Sequence, residues 1–120
     1  MARVLVFCPK QTLVGTPQSG GQDYYSEIFD VTDVSLLTAE MQVFGTTNTA
    51  GVVSGFLEET ADPAFDAASW TQNGSALVVT GVGLSKQSYS GLQRFVRAKV
   101  TLPSGVSARL CVDGVGRNDM

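Results

Sequence analysis

The chain has 120 residues, with 43% hydrophobic and 16% charged residues, 13 glycines and a formal charge of −3. That is the size of one domain, with apolar content too high and net charge too low for disorder. Eight basic residues against eleven acidic ones argue against nucleic acid as a partner, since phosphate neutralisation by Lys and Arg supplies most of that affinity. No apolar run approaches the ~20 residues that span a bilayer, so no membrane partner is expected.

In chain order, Val4-Leu5-Val6-Phe7 is a short β-type run that Pro9 is expected to stop. This opening is too short for the apolar region of a signal peptide and lacks a small-residue cleavage site, so a chain made and assembled in the cytoplasm is expected. Residues 9–25 carry the clusters Gly15-Thr16-Pro17 and Ser19-Gly20-Gly21 and read as an irregular loop or arm. Tyr24 to Val31 resumes β-prone residues. In Leu36 to Phe44, Leu37, Ala39, Met41 and Val43 share one parity, the period of a half-buried strand.

A turn over 46–51 leads to a strand over Val52 to Thr60, which ends before Asp62-Pro63. Ala64 to Ser69 reads as a helical turn. Asn73-Gly74 predicts a tight two-residue turn, because both residues tolerate positive φ. Ala76 to Val82 is a further strand, and the Gly, Ser and Lys residues after it read as a loop. Leu92 to Leu102 and Val106 to Val115 alternate cleanly about Pro103-Ser104-Gly105 and predict a hairpin. The whole predicts one all-β domain over 1–120. It is a jelly roll, or failing that an immunoglobulin-like β-sandwich, of about seven or eight antiparallel strands with an N-terminal arm.

Chemistry is sparse. There is no histidine, which removes the commonest general base, the usual triads and most transition-metal sites. Glu58 and Glu59 are strand neighbours and would point to opposite faces, so they cannot grip one bond together. A calcium site from Glu59, Asp62 and Asp66 is conceivable without any EF-hand spacing behind it. Gly81-Val82-Gly83 and Gly114-Val115-Gly116 lack the helix or lysine of a phosphate cradle and read as strand ends, bulges or turns. No catalytic residue, metal or cofactor is expected. Cys8 and Cys111 match neither a zinc motif nor a Cys-x-x-Cys pair and read as reduced packing residues, or as neighbours if the first and last strands adjoin.

The binding candidates are aromatic and basic. Tyr24 and Tyr25 lie at the base of the arm and suit either a contact surface or a pin holding the arm to its own domain. Trp70 reads as a core or sheet-edge anchor, with a sugar platform as the other possibility. Arg97 and Lys99 share one face of a strand, and the predicted hairpin would set Arg109 beside them. Acidic residues concentrate around 58–66, so copies or partners could dock by complementary charge.

The segment Val53 to Trp70, with Phe56-Leu57-Glu58-Glu59-Thr60-Ala61-Asp62-Pro63, resembles a phrase of small tailed-bacteriophage virion proteins of the capsid decoration (cement) type. The strands Leu92 to Leu102 and Ala108 to Arg117 are similar to the strands that follow in that family. The resemblance covers roughly residues 50 to 117. It implies a β-sandwich on the capsid surface that binds the major capsid protein, self-associates as a trimer and staples the lattice. A carbohydrate- or receptor-binding module, or a tail or head-joining component, is the other reading of the same fold.

Overall fold

The computed structural model describes residues 2–15, 22–62 and 69–118. Nine strands order the chain: β1 Ala2–Leu13, β2 Gln22–Tyr25, β3 Phe29–Asp30, β4 Leu36–Thr46, β5 Val52–Thr60, β6 Thr71–Thr80, β7 Gly83–Ser90, β8 Phe95–Leu102 and β9 Ala108–Arg117. Every pairing is antiparallel. One sheet has the order β1-β9-β4-β7 and the other β2-β8-β5-β6, with β3 added against β8. Matched position by position, the two orders join strands consecutive in sequence: β1 with β2, β8 with β9, β4 with β5, β6 with β7. A long hairpin rolled on itself has this topology, and it is the jelly roll.

Alternation builds the core between the sheets. β4 turns Leu37, Ala39, Met41 and Val43 inward, β8 turns Val96, Ala98, Val100 and Leu102, and β9 turns Ala108, Leu110 and Val112, all buried. Phe7 of β1 meets Phe29 of β3 edge to face, ring centroids 5.2 Å apart, and ties one sheet to the other.

The structure corrects several sequence expectations. β8 and β9 are not a hairpin: they lie in opposite sheets, β8 pairing with β5 and β2, and β9 with β1 and β4. Both strands bury one face, and alternation is the same whether two strands lie side by side or face each other across a core. Pro9 does not stop β1 either. β1 is the sheet edge, its ladder to β9 shifts between Val6 and Cys8 and between Cys8 and Gln11, and a bulged edge strand needs no amide from proline. Residues 9–13 and 22–25, expected as arm, are therefore strand, while 16–21 lie outside the described residues.

Asn73-Gly74 sits inside β6. The β5–β6 ladder runs from Gly55–Leu77 to Leu57–Asn73, leaving extra residues on β6 at a bulge. Gly74 has φ +68°, so the same conformational tolerance serves a bulge instead of a turn. The expected loop of Gly, Ser and Lys residues is β7, whose pairing with β4 runs unbroken from Leu36–Ser90 to Val43–Gly83. Gly114 and Gly116 are strand interior and not strand ends. A Cβ on Gly114 would come within 2.9 Å of Leu37 and Phe7. The helical turn expected over 64–69 falls almost wholly outside the described residues.

Candidate functional site: the outer face of the five-stranded sheet

Because β2, β8 and β5 are neighbours, their outward residues form one surface. Tyr25 stands beside Lys99, Lys99 beside Phe56, and Arg97 beside Glu58. Arg97 is the centre of it. Its Nε donates to Glu58 Oε1 at 2.8 Å, with the two side chains only 18% and 14% exposed. Its Cζ lies 4.3 Å from the ring centroids of both Tyr25 and Trp70, so the guanidinium is stacked against two aromatic faces and tied to a carboxylate. Lys99 Nζ lies 5.4 Å from the Phe56 centroid. At the margin, Thr101 Oγ1 donates to Asp23 Oδ1 at 2.8 Å.

This arrangement can bind but has little with which to move protons. Glu58 is neutralised by Arg97. Glu59 points the other way, into the sandwich, where its Oε2 accepts from Asn73 Nδ2 at 3.0 Å and from the Gln93 amide at 2.9 Å. That carboxylate therefore anchors the β7–β8 connection to β6. Of the conceived calcium ligands, Asp66 lies outside the described residues, and no cluster of three ligating side chains occurs among those described.

Tyr24 and Tyr25 divide the two roles open to them. Tyr25 is 53% exposed on the outer face. Tyr24 turns inward, packs against the core and donates its hydroxyl to the Val14 carbonyl, which fastens the start of the 14–22 connection. Trp70 is neither a core residue nor a bare platform; half-buried, it covers Arg97 from the edge of β6. Phe56 and Glu58 complete a site of which the sequence names Tyr25, Arg97, Lys99 and Trp70. The signal for them was the shared outward parity of β5 and β8, legible only once those strands are paired.

Arg109 does not join this face. It is exposed on β9, in the other sheet, beside Thr12 and Gly45. The expected split into an acidic and a basic pole is likewise reduced, because Glu58 spends its charge on Arg97 within the chain. The outer face of the four-stranded sheet carries its own charges. Lys86 Nζ lies 3.7 Å from Glu40 Oε2. Asp113, opposite Glu40, has its carboxyl pushed above the usual range by burial and by that neighbouring carboxylate.

β1 and β9 do adjoin, yet both cysteines are free. Cys8 is buried on the inward side of β1, with Gln11 Nε2 at 3.3 Å from its sulfur. Cys111 is half-buried on the outward parity of β9. Burial raises both thiols above their ordinary value.

No known family matches the chain in sequence, and no curated protein does so either. Solved structures share its fold. The PBSX exported protein XepA superposes with a TM-score of 0.68 at 15% identity, over 98% of this chain and 38% of that one. The VP2 subviral particle of infectious bursal disease virus gives 0.66 at 11% identity, over 98% and 33%. The C-terminal CBM6 of LamC, a laminarinase from Zobellia galactanivorans, gives 0.53 at 13% identity, over 96% of this chain and all of that one. The chain thus spans only about a third of the length of the first two proteins, and at these identities the likeness is one of fold.

Proposed function

We propose that this chain is a structural protein of a bacteriophage particle, a capsid decoration protein that docks the outer face of its five-stranded sheet onto the major capsid protein. The observation that carries the reading is the Tyr25–Arg97–Trp70 stack. Tyr, Trp and Arg are the side chains that dominate binding energy at protein interfaces, and they do so best when held rigid before contact. Here Glu58 and the two rings hold the guanidinium in place, while Tyr25 and Lys99 remain available to a partner. The likeness of fold to a virus shell protein and to XepA supports a role in particle structure. Assembly in the host cytoplasm and a place on the capsid surface go with this reading as the resemblance implies them.

The test is co-sedimentation of the purified protein with empty capsids, comparing the native chain with Tyr25→Ala and Trp70→Ala. Binding that is lost in both variants supports the reading.

A second reading rests on the same rings. Partly exposed aromatic rings beside hydrogen-bonding side chains also suit stacking on sugars, and the likeness of fold to a CBM6 module extends over the whole of that module. On this reading Trp70 fluorescence is quenched by cell-surface glycans while the protein ignores capsids.

A further inference from the structure

The other sheet carries a feature that the docking face does not use. β1 is an edge strand of twelve residues, and its bulges and its proline lie in its second half. The two register shifts, Pro9 and Lys10 all lie beyond Val6. Bulges, proline and lysine are the devices by which edges avoid association. From Ala2 to Val6 the ladder to β9 is unbroken and free of proline and bulge, its one charge, Arg3, is held by Asp33 and the Asp30 carbonyl of its own chain, and Val4 and Val6 are 70% and 46% exposed. The remaining edges offer less. β2 is four residues long. β6 and β7 close on each other, with the Val78 amide donating to Ser85 Oγ at 3.2 Å.

We propose that a second copy of this chain pairs antiparallel along Ala2–Val6, two-fold about Val4, so that two four-stranded sheets become one sheet of eight. The register follows from the residues. A two-fold axis normal to the sheet keeps outward residues opposite outward ones, so it must pass through a residue. Through Arg3 it would oppose two like charges. Through Leu5 it would run the pairing into the bulge after Val6. Through Val4 it sets Val4 against Val4 and Ala2 against Val6.

Chain neighbours then extend each row. Val115, itself 38% exposed, flanks Val4 in the ladder, giving an outward apolar row Val115–Val4–Val4–Val115 across the two copies. The rows on either side read Asp113–Val6–Ala2–Arg117, since Asp113 pairs with Val6 and Arg117 with Ala2. Each row thus carries a carboxylate of one copy and a guanidinium of the other, with Val6 and Ala2 between them. The charges complement each other in this register. The stripe is self-complementary, which fits a two-fold dimer, whereas a three-fold ring needs two different surfaces meeting head to tail.

The experiment is light scattering of the full chain across a concentration series, with oxidative cross-linking of Val4→Cys and, as control, of Val78→Cys on β6. Val4 is largely solvent-exposed, so neither Val4→Cys nor Val4→Lys disturbs the core, and far-UV circular dichroism checks this. The expected results are a mass rising toward twice the 12.6 kDa of one chain and its loss in Val4→Lys. A disulfide between two copies is expected at position 4, on the order of tenfold faster than at position 78 because pairing raises the effective concentration. A mass of one chain at all concentrations overturns the proposal. So does a doubled mass that survives Val4→Lys, or cross-linking at position 4 no faster than at position 78.

Discussion

Arg97 and Glu58 stand opposite each other on β8 and β5 and share a hydrogen bond of 2.8 Å, sheltered under Trp70 and Tyr25. A charge-assisted bond with both side chains mostly covered is worth more than an exposed pair. Arg97→Ala is expected to cost about 2 kcal/mol, since it leaves Glu58 without its partner in a sheltered site. Arg97→Lys keeps the charge but gives up the planar fork and its stacking on two rings, and is expected to cost about 1 kcal/mol. Urea unfolding of both variants checks the order.

Gly74 tests the bulge in β6. It has φ +68°, and a Cβ there would lie 2.9 Å from the Tyr89 ring, which is itself wholly buried and donates its hydroxyl to the Ser75 carbonyl at 2.8 Å. Gly74→Ala is expected to cost about 2 kcal/mol from left-handed backbone strain and the clash. Gly45→Ala has no neighbour within 4 Å and no positive φ, and is expected to stay within about 0.5 kcal/mol of the native chain. Equal losses in the two would contradict the bulge.

These two sites also mark what was readable in the sequence. Alternation told which residues of β4, β8 and β9 face the core, because burial of one face imposes period two whatever the partner strand. It could not tell that β8 and β9 face each other across the core, and so it placed Arg109 beside Arg97. Asn73-Gly74 announced a positive φ without saying whether a turn or a bulge uses it. Tyr24 and Tyr25 read as a pair in the sequence, yet adjacent strand residues point apart, and only the register of β2 on β8 decides which one faces out. Phe56, Glu58 and Trp70 come together through long-range pairing that no local pattern encodes.

Asp30 gives a dependence on acid. Hydrogen bonds from the Thr32 hydroxyl at 2.6 Å and the Thr32 amide at 3.0 Å, with Arg94 beside it, hold its carboxyl below the ordinary 3.8. A lowered folded-state value means the ionised form is preferred on folding. Its contribution is complete above the ordinary value and disappears as pH falls through the lower one. Asp30→Ala is therefore expected to melt below the native chain at pH 7, with the gap closing at the acid end. A gap that is unchanged at the lowest pH at which the fold survives would contradict this assignment.

Both cysteines are expected to stay reduced and sluggish. Their raised values keep the thiols protonated near neutral pH, and thiolate is the reactive form. Thiol counting under denaturing, non-reducing conditions is expected to find two per chain, with Cys111 alkylating before the more deeply buried Cys8 in the folded protein. Because the unfolded chain ionises first, stability is also expected to fall as pH rises above the ordinary 9.0.

The most direct measurement is the binding of the purified protein to empty bacteriophage capsids, read by co-sedimentation with the native chain and with Trp70→Ala. The docking-face account expects stoichiometric binding by the native chain and its loss in the variant, with the fold of the variant intact by circular dichroism. Binding that Trp70→Ala leaves unchanged, or no binding by the native chain together with quenching of Trp70 by glycans, would contradict it.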